Sequence, residues 1–224
     1  MNWIAIALLG GFVGLDSTSF PQIMISRPLV AGALTGLLLG RPMEGMAIGA
    51  ILEIFDLAVL PIGAARYPES GTATVAATVA FLATGAVAEA TAALLLAVVF
   101  GLAWERVSGA SVVLHRRLAE RILFAGQGPA HSPRTLQRRH LTVIAVDFVR
   151  GVLVCVSGAV AGSLLLRGLA PLWAVHPRVT GATLLLAGCA VLAASIAVFG
   201  GWREARRFFL MGALCGSLLL LLIR

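Results

Sequence analysis

Lysine is absent from this chain, and only 12% of its residues carry a charge. Soluble domains are about one-quarter charged and about half apolar. Here 59% of residues are hydrophobic and the mean hydropathy is +0.98, which excludes an ordinary soluble fold. All 17 basic residues are arginines, and the net charge is +7. With this hydropathy the excess points to membrane topology rather than nucleic acid, and the missing lysine reads as genome composition. Cysteine is scarce too. Cys155, Cys189 and Cys215 each lie alone in an apolar run, without C-x-x-C spacing. Buried free thiols are expected, and disulfides and thiolate metal sites are unsupported. The four histidines, His115, His131, His140 and His176, fall at expected membrane edges with no ligand spacing, so neither metal nor cofactor is expected. No glycine-rich phosphate loop or nucleophile elbow is present, so a nucleotide-driven pump or a hydrolase is unsupported.

What remains is a polytopic all-α integral membrane protein, a transporter-like helical bundle with discontinuous or re-entrant helices. Apolar segments fall near residues 3–15, 28–40, 43–60, 71–104, 141–166, 179–199 and 208–223. A span needs roughly 20 helical residues. Segments 3–15 and 28–40 are shorter, and 71–104 is too long for one span, with Gly85 a candidate break. Short pieces interrupted by Gly or Pro are the sequence mark of broken transporter helices. The N-terminal run has no positive n-region, its first arginine being Arg27, and reads as a retained membrane segment.

One membrane domain is expected over 1–224. Its half 1–104 carries the motifs, 105–140 is an arginine-rich cytoplasmic part, and 141–224 supplies further helices. Within 105–140, Val107, Leu114, Leu118 and Ile122 share a helical face opposite arginines, predicting an amphipathic helix lying at the interface, followed by a loop. The positive-inside rule places 105–140 and 202–207 in the cytoplasm and 167–178 outside.

Two acids, Glu53 and Asp56, lie within the apolar run 43–60. Each costs about 2.5–3.5 kcal/mol to insert, and the eight Leu, Ile, Val and Phe residues of that run return roughly 2.4–4.8 kcal/mol in all. The run therefore needs partners for its acids. As a helix it sets Gly45, Gly49 and Glu53 on one face, with Asp56 beside Glu53, and the glycines admit a close neighbour. Glu53 is expected to meet a polar substrate or carry a proton, against a structural pairing with Arg27 or Arg66. For Asp56 the two readings stand level. Asp16, in "GLDSTSFPQ", either presents a polar break to a ligand or caps a helix. Glu69, in "ARYPES", is a site candidate or an exposed loop acid. Glu89 and the Asp147–Arg150 pair read as structural, the pair neutralising itself. Glu44, Glu105, Glu120 and Glu204 are placed at interfaces without a function.

The stretch "SRPLVAGALTGLLLGRPMEGMAIGAILEIFDLAVLPIGAARYPES" supplies an ordered set of motifs. Asp16 precedes it, Arg27-Pro28-Leu29 opens it, G-x-x-I-G-A-x-L-E ends at Glu53, and P-I-G-A-A is followed by Pro68-Glu69. Over these residues the chain resembles the membrane IIC component of mannose/sorbose-type sugar phosphotransferase systems. The second half, including "VTGATLLLAGCAVLAAS", matches loosely. The resemblance implies a permease subunit in the bacterial inner membrane that is not itself phosphorylated. It would share a path for a hexose-type sugar with a second membrane subunit, IID, in an oligomer of IIC/IID units. Cytoplasmic IIA and IIB proteins would pass phosphate to the sugar. By motif position Glu53, Asp16, Arg27 and Glu69 become candidate substrate residues, with Asp56 beside them, and 105–140 a candidate docking surface for IIB. Two alternatives stay open: a membrane scaffold that has lost its substrate, and an unrelated proton-coupled carrier.

Overall fold

The structure is a computed structural model that describes residues 2–57, 68–85, 90–124, 132–173, 175–198, 200–203, 206, 207 and 210. Pro61, Arg66, Glu89, His131, Glu204, Cys215 and the segment 208–223 (save Leu210) lie outside those residues.

Among the described residues every regular element is helical. The long helices are α1 (Trp3–Thr18), α2 (Pro28–Leu38), α3 (Pro42–Asp56), α4 (Ser70–Thr84), α5 (Ala90–Phe124), α6 (Pro133–Leu169) and α7 (Pro177–Val198). Proline opens α2, α3 and α6 at a position where its missing N–H has no helical acceptor to lose. Gly85 ends α4 with φ +56, a left-handed conformation that side chains disfavour, and so breaks the long apolar run. Of the elements, α5, α6 and α7 are long and apolar enough to cross a membrane. The helices α1 to α4 have 16, 11, 15 and 15 residues, short of the roughly 20 a span takes.

Packing registers place the short helices along α6. Gly10 of α1 lies against Cys155 and Gly14 against Gly151, so α1 runs antiparallel to α6. Ala76 and Ala80 of α4 meet Gly158 and Gly162, so α4 runs parallel to it. Trp104 of α5 donates to the Val154 carbonyl (3.2 Å) and Arg139 of α6 donates to the Leu123 carbonyl (3.0 Å), making α5 and α6 an antiparallel pair. Two apolar cores follow. Ile6, Val13, Val75, Val79 and Cys155 join α1, α4 and α6, and Ile48, Leu52, Ala77, Ala97 and Val98 join α3, α4 and α5. The helices α2 and α3 form a tight hairpin that leans on α4. Glycines on both helices make the contact, Gly32 and Gly36 facing Gly45 and Gly49.

The arginine-rich stretch differs from its expected form. No break precedes it: α5 continues from the membrane to Phe124, and α6 begins at Pro133, inside the expected loop. Helices of 35 and 37 residues exceed a span by about 15 residues each. Packing of α5 against α6 carries the helix on where composition alone suggested an end. Cys155 is buried as expected, but Cys189 is exposed on α7. In a chain with its other cysteines removed, a cysteine replacing exposed Arg121 is expected to label fully with a membrane-impermeant maleimide in opened vesicles. In a chain that keeps Cys155 as its one cysteine, that thiol is expected to stay unlabelled until denaturation.

Candidate substrate site

The ends of the short helices meet at one level, near the middle of α6. There lie the C-terminus of α1 (Asp16 to Thr18), the N-terminus of α2, the C-terminus of α3 (Glu53 to Asp56) and the N-terminus of α4 (Glu69 to Thr72). Mid-helix residues of α5 and α6 complete the level. Broken helices that end in a membrane bundle leave backbone groups and dipole ends there, which polar side chains or ligands must satisfy.

The acids answer that demand in an ordered way. Glu53 accepts from the Leu29 amide at the start of α2 (3.2 Å) and forms an ion pair with Arg27. Glu69 caps α4, accepting from the Thr72 amide (3.3 Å) and the Thr72 hydroxyl. Both carboxylates thus sit at the positive end of a helix. Asp16 caps neither helix. It accepts from the Ile23 amide (2.6 Å), the Ser26 amide (2.9 Å) and the Ser26 hydroxyl (2.8 Å), pinning the turn between α1 and α2. Asp56 accepts from Ser70 (2.5 Å), tying the end of α3 to the start of α4.

Several positions depart from expectation. Glu69 is not an exposed loop acid but is 2% exposed. Glu105, expected at an interface, is 4% exposed and sits one helix away, where its carbonyl accepts from the Glu69 amide (3.1 Å). Its Oε1 has no hydrogen-bond partner among the described residues. The pair Asp147–Arg150 does form (2.7 Å), yet it anchors a network as well. Thr18 and Ser19 at the end of α1 donate to Asp147, Ser19 at 2.5 Å. Arg150 donates to the Gly14 carbonyl and to Ser111 (both 3.1 Å) and lies 3.9 Å from Glu69. His115 is buried rather than at an edge, 3.8 Å from Asp147. Arg27 meets Glu53, which realises the pairing that the sequence left open; Arg66 lies outside the described residues.

Glu105, His115, Asp147 and Arg150 are therefore members of the level that the sequence reading set aside. One signal was available: an ionisable residue within an apolar helix faces the bundle interior by default. Among the described residues no group of three His, Cys, Asp or Glu side chains converges as a metal site would. At this level carboxylates pair with hydroxyls (Asp16 with Ser26, Asp56 with Ser70, Glu69 with Thr72, Asp147 with Thr18 and Ser19).

A model of the family described as PTS system sorbose-specific IIC component matches residues 1–215. The chain belongs to that family. By that membership an unrelated carrier is not favoured. It is 36% identical to the PTS system sorbose-specific EIIC component of Lacticaseibacillus casei over 76 residues, 34% of this chain and 27% of that one. The Klebsiella pneumoniae component of the same description is 33% identical over 72 residues, 32% of this chain and 27% of that one. The matched stretches span about a quarter of those relatives. Among solved structures, one described as a membrane protein matches with a TM-score of 0.67 and 18% identity, covering 99% of this chain and 94% of that one. A cryo-EM structure of the mannose transporter ManYZ with microcin E492 matches with a TM-score of 0.52 and 19% identity, covering 96% and 85%. At these identities the likeness is one of fold.

Proposed function

We propose that this IIC chain forms part of the path by which a hexose-type sugar enters a bacterial cell through the inner membrane, together with a IID membrane subunit. Phosphoryl transfer belongs to IIA and IIB partners, and the chain itself is no enzyme. The observation that carries this reading is the level of carboxylates where α1 to α4 end, with Glu105 Oε1 buried and without a donor among the described residues. Sugar hydroxyls supply donors to such a carboxylate. Glu53, Asp56 and Glu69 would accept further hydroxyls by loosening contacts to Arg27, Ser70 and Thr72, and Asp16 holds the adjoining turn in place. The sorbose description of the two relatives makes L-sorbose the first sugar to try, with mannose second. A substrate-free scaffold is not favoured, since the IIC family model matches residues 1–215.

The arginine-bearing end of the α5–α6 hairpin faces the cytoplasm on this reading and is available to IIB. A cysteine at position 121 is then expected to react with impermeant maleimide in inside-out vesicles and not in intact cells. The function itself is tested by sugar uptake in cells carrying the partner subunits. Glu105→Gln replaces the buried carboxyl by an amide, expected to lower apparent affinity about 10–100-fold at unchanged membrane level. Glu53→Gln is expected to abolish uptake. If both variants take up every tested hexose as well as the wild type does, the site reading fails.

A further inference from the structure

An open cleft of about 340 Å³ runs between α5 and α6 on the far side of Arg150. Its walls are apolar (Leu114, Leu118, Val146, Val149 and Leu153), with Ser111, His115 and Arg150 at the floor. The Arg150 guanidinium is turned to Asp147, Ser111 and the Gly14 carbonyl, while His115 Nδ1 is buried without a hydrogen-bond partner among the described residues. Helical spacing extends the cleft's own faces outward. On α5 the series Ser111, Leu114, His115, Leu118 leads next to Arg121, and on α6 the series from Val146 leads back through Thr142 to Arg138. Both arginines are exposed. An apolar slot thus opens onto a basic mouth toward the connecting end of the hairpin, within a stretch (105–140) holding seven arginines and two acids.

We propose that this cleft binds an anionic phospholipid, one acyl chain lying between α5 and α6 and the phosphate resting on Arg121 and Arg138. Basic pockets between membrane helices recognise anionic headgroups in this way. The cleft is too small to admit a helix, which is about 10–12 Å across with its side chains. A hydrocarbon chain is narrow enough. Along the helix, Arg121 stands about 9 Å above His115 at 1.5 Å per residue. The walls from Leu118 to Leu153 then lie at chain depth, below a headgroup held by the arginines. The inference is independent of any role in transport.

The test uses the full chain in nanodiscs of phosphatidylcholine with graded phosphatidylglycerol, counting retained lipids by native mass spectrometry. The wild type is expected to keep one phosphatidylglycerol through activation that strips the rest. The double variant Arg121→Gln/Arg138→Gln should weaken retention roughly 30-fold, and Val149→Trp, which fills the slot, should abolish it. Because both arginines are exposed, their variant remains informative if Val149→Trp fails to fold. Retention of phosphatidylcholine to the same degree, or unchanged phosphatidylglycerol binding in the arginine variant, would overturn the proposal. So would a cross-link from position 149 to a protein in native membranes.

Discussion

Arg150→Met is expected to destabilise the chain by roughly 3–5 kcal/mol, the cost of stranding a buried charge. Asp147 is fully buried and Glu69 nearly so, and Arg150 is the cation placed between them. Removing it leaves Asp147 to Thr18, Ser19 and distant His115, and also frees the Gly14 carbonyl and Ser111. Methionine fills the volume and fits apolar gaps, so packing loss is small and the deficit is electrostatic. The double variant Arg150→Met/Asp147→Asn should recover part of the loss, since partners in one network are not additive. Heating detergent extracts and following the monodisperse peak by fluorescence size-exclusion measures both. A single variant as stable as the wild type would show that the pair is dispensable.

Gly45→Ala and Gly49→Ala are expected to cost about 2–3 kcal/mol each, at the upper end for overpacking. A Cβ on Gly45 would stand 2.6 Å from Cα of Gly36, and one on Gly49 would stand 3.0 Å from Cα of Leu29. Backbone cannot swing aside as a side chain can, so α2 and α3 must part. Parting them moves Glu53 off the Leu29 amide, so loss of sugar uptake should accompany the loss of stability. Gly188→Ala is the control. It lies in α7 with open space around its Cβ position, and there alanine should stabilise by about 0.5–1 kcal/mol. Equal effects at 45, 49 and 188 would mean that the hairpin is not packed this way.

The parts legible in the sequence were those governed by neighbours along one helix. The spacing of Gly45, Gly49 and Glu53 put them on one face, although the facing glycines, Gly32 and Gly36, emerged only from the packing. Gly85 announced its break because a left-handed turn suits glycine best. What escaped depended on residues far apart in the chain. Asp147 and Arg150 satisfy each other at i and i+3, so nothing local revealed that Thr18 and Ser19, some 129 and 128 positions away, also bind Asp147. Glu105 stood at the visible end of an apolar run, and only the continuation of α5 along α6 draws it inside. Asp16 was weighed as a helix cap, whereas its partners lie in the turn 7 and 10 residues on.

The central claim is that the level of carboxylates between the short helices holds a sugar. It is tested most directly by equilibrium binding of radiolabelled L-sorbose and mannose to the chain purified from native membranes with whatever subunits accompany it. Wild type and Glu105→Gln are compared at equal protein. The account predicts saturable binding of one of the sugars to the wild type and an affinity about 10–100-fold weaker in the variant. Saturable binding that Glu105→Gln leaves unchanged would contradict it, and so would a partner-bound wild type that binds neither sugar.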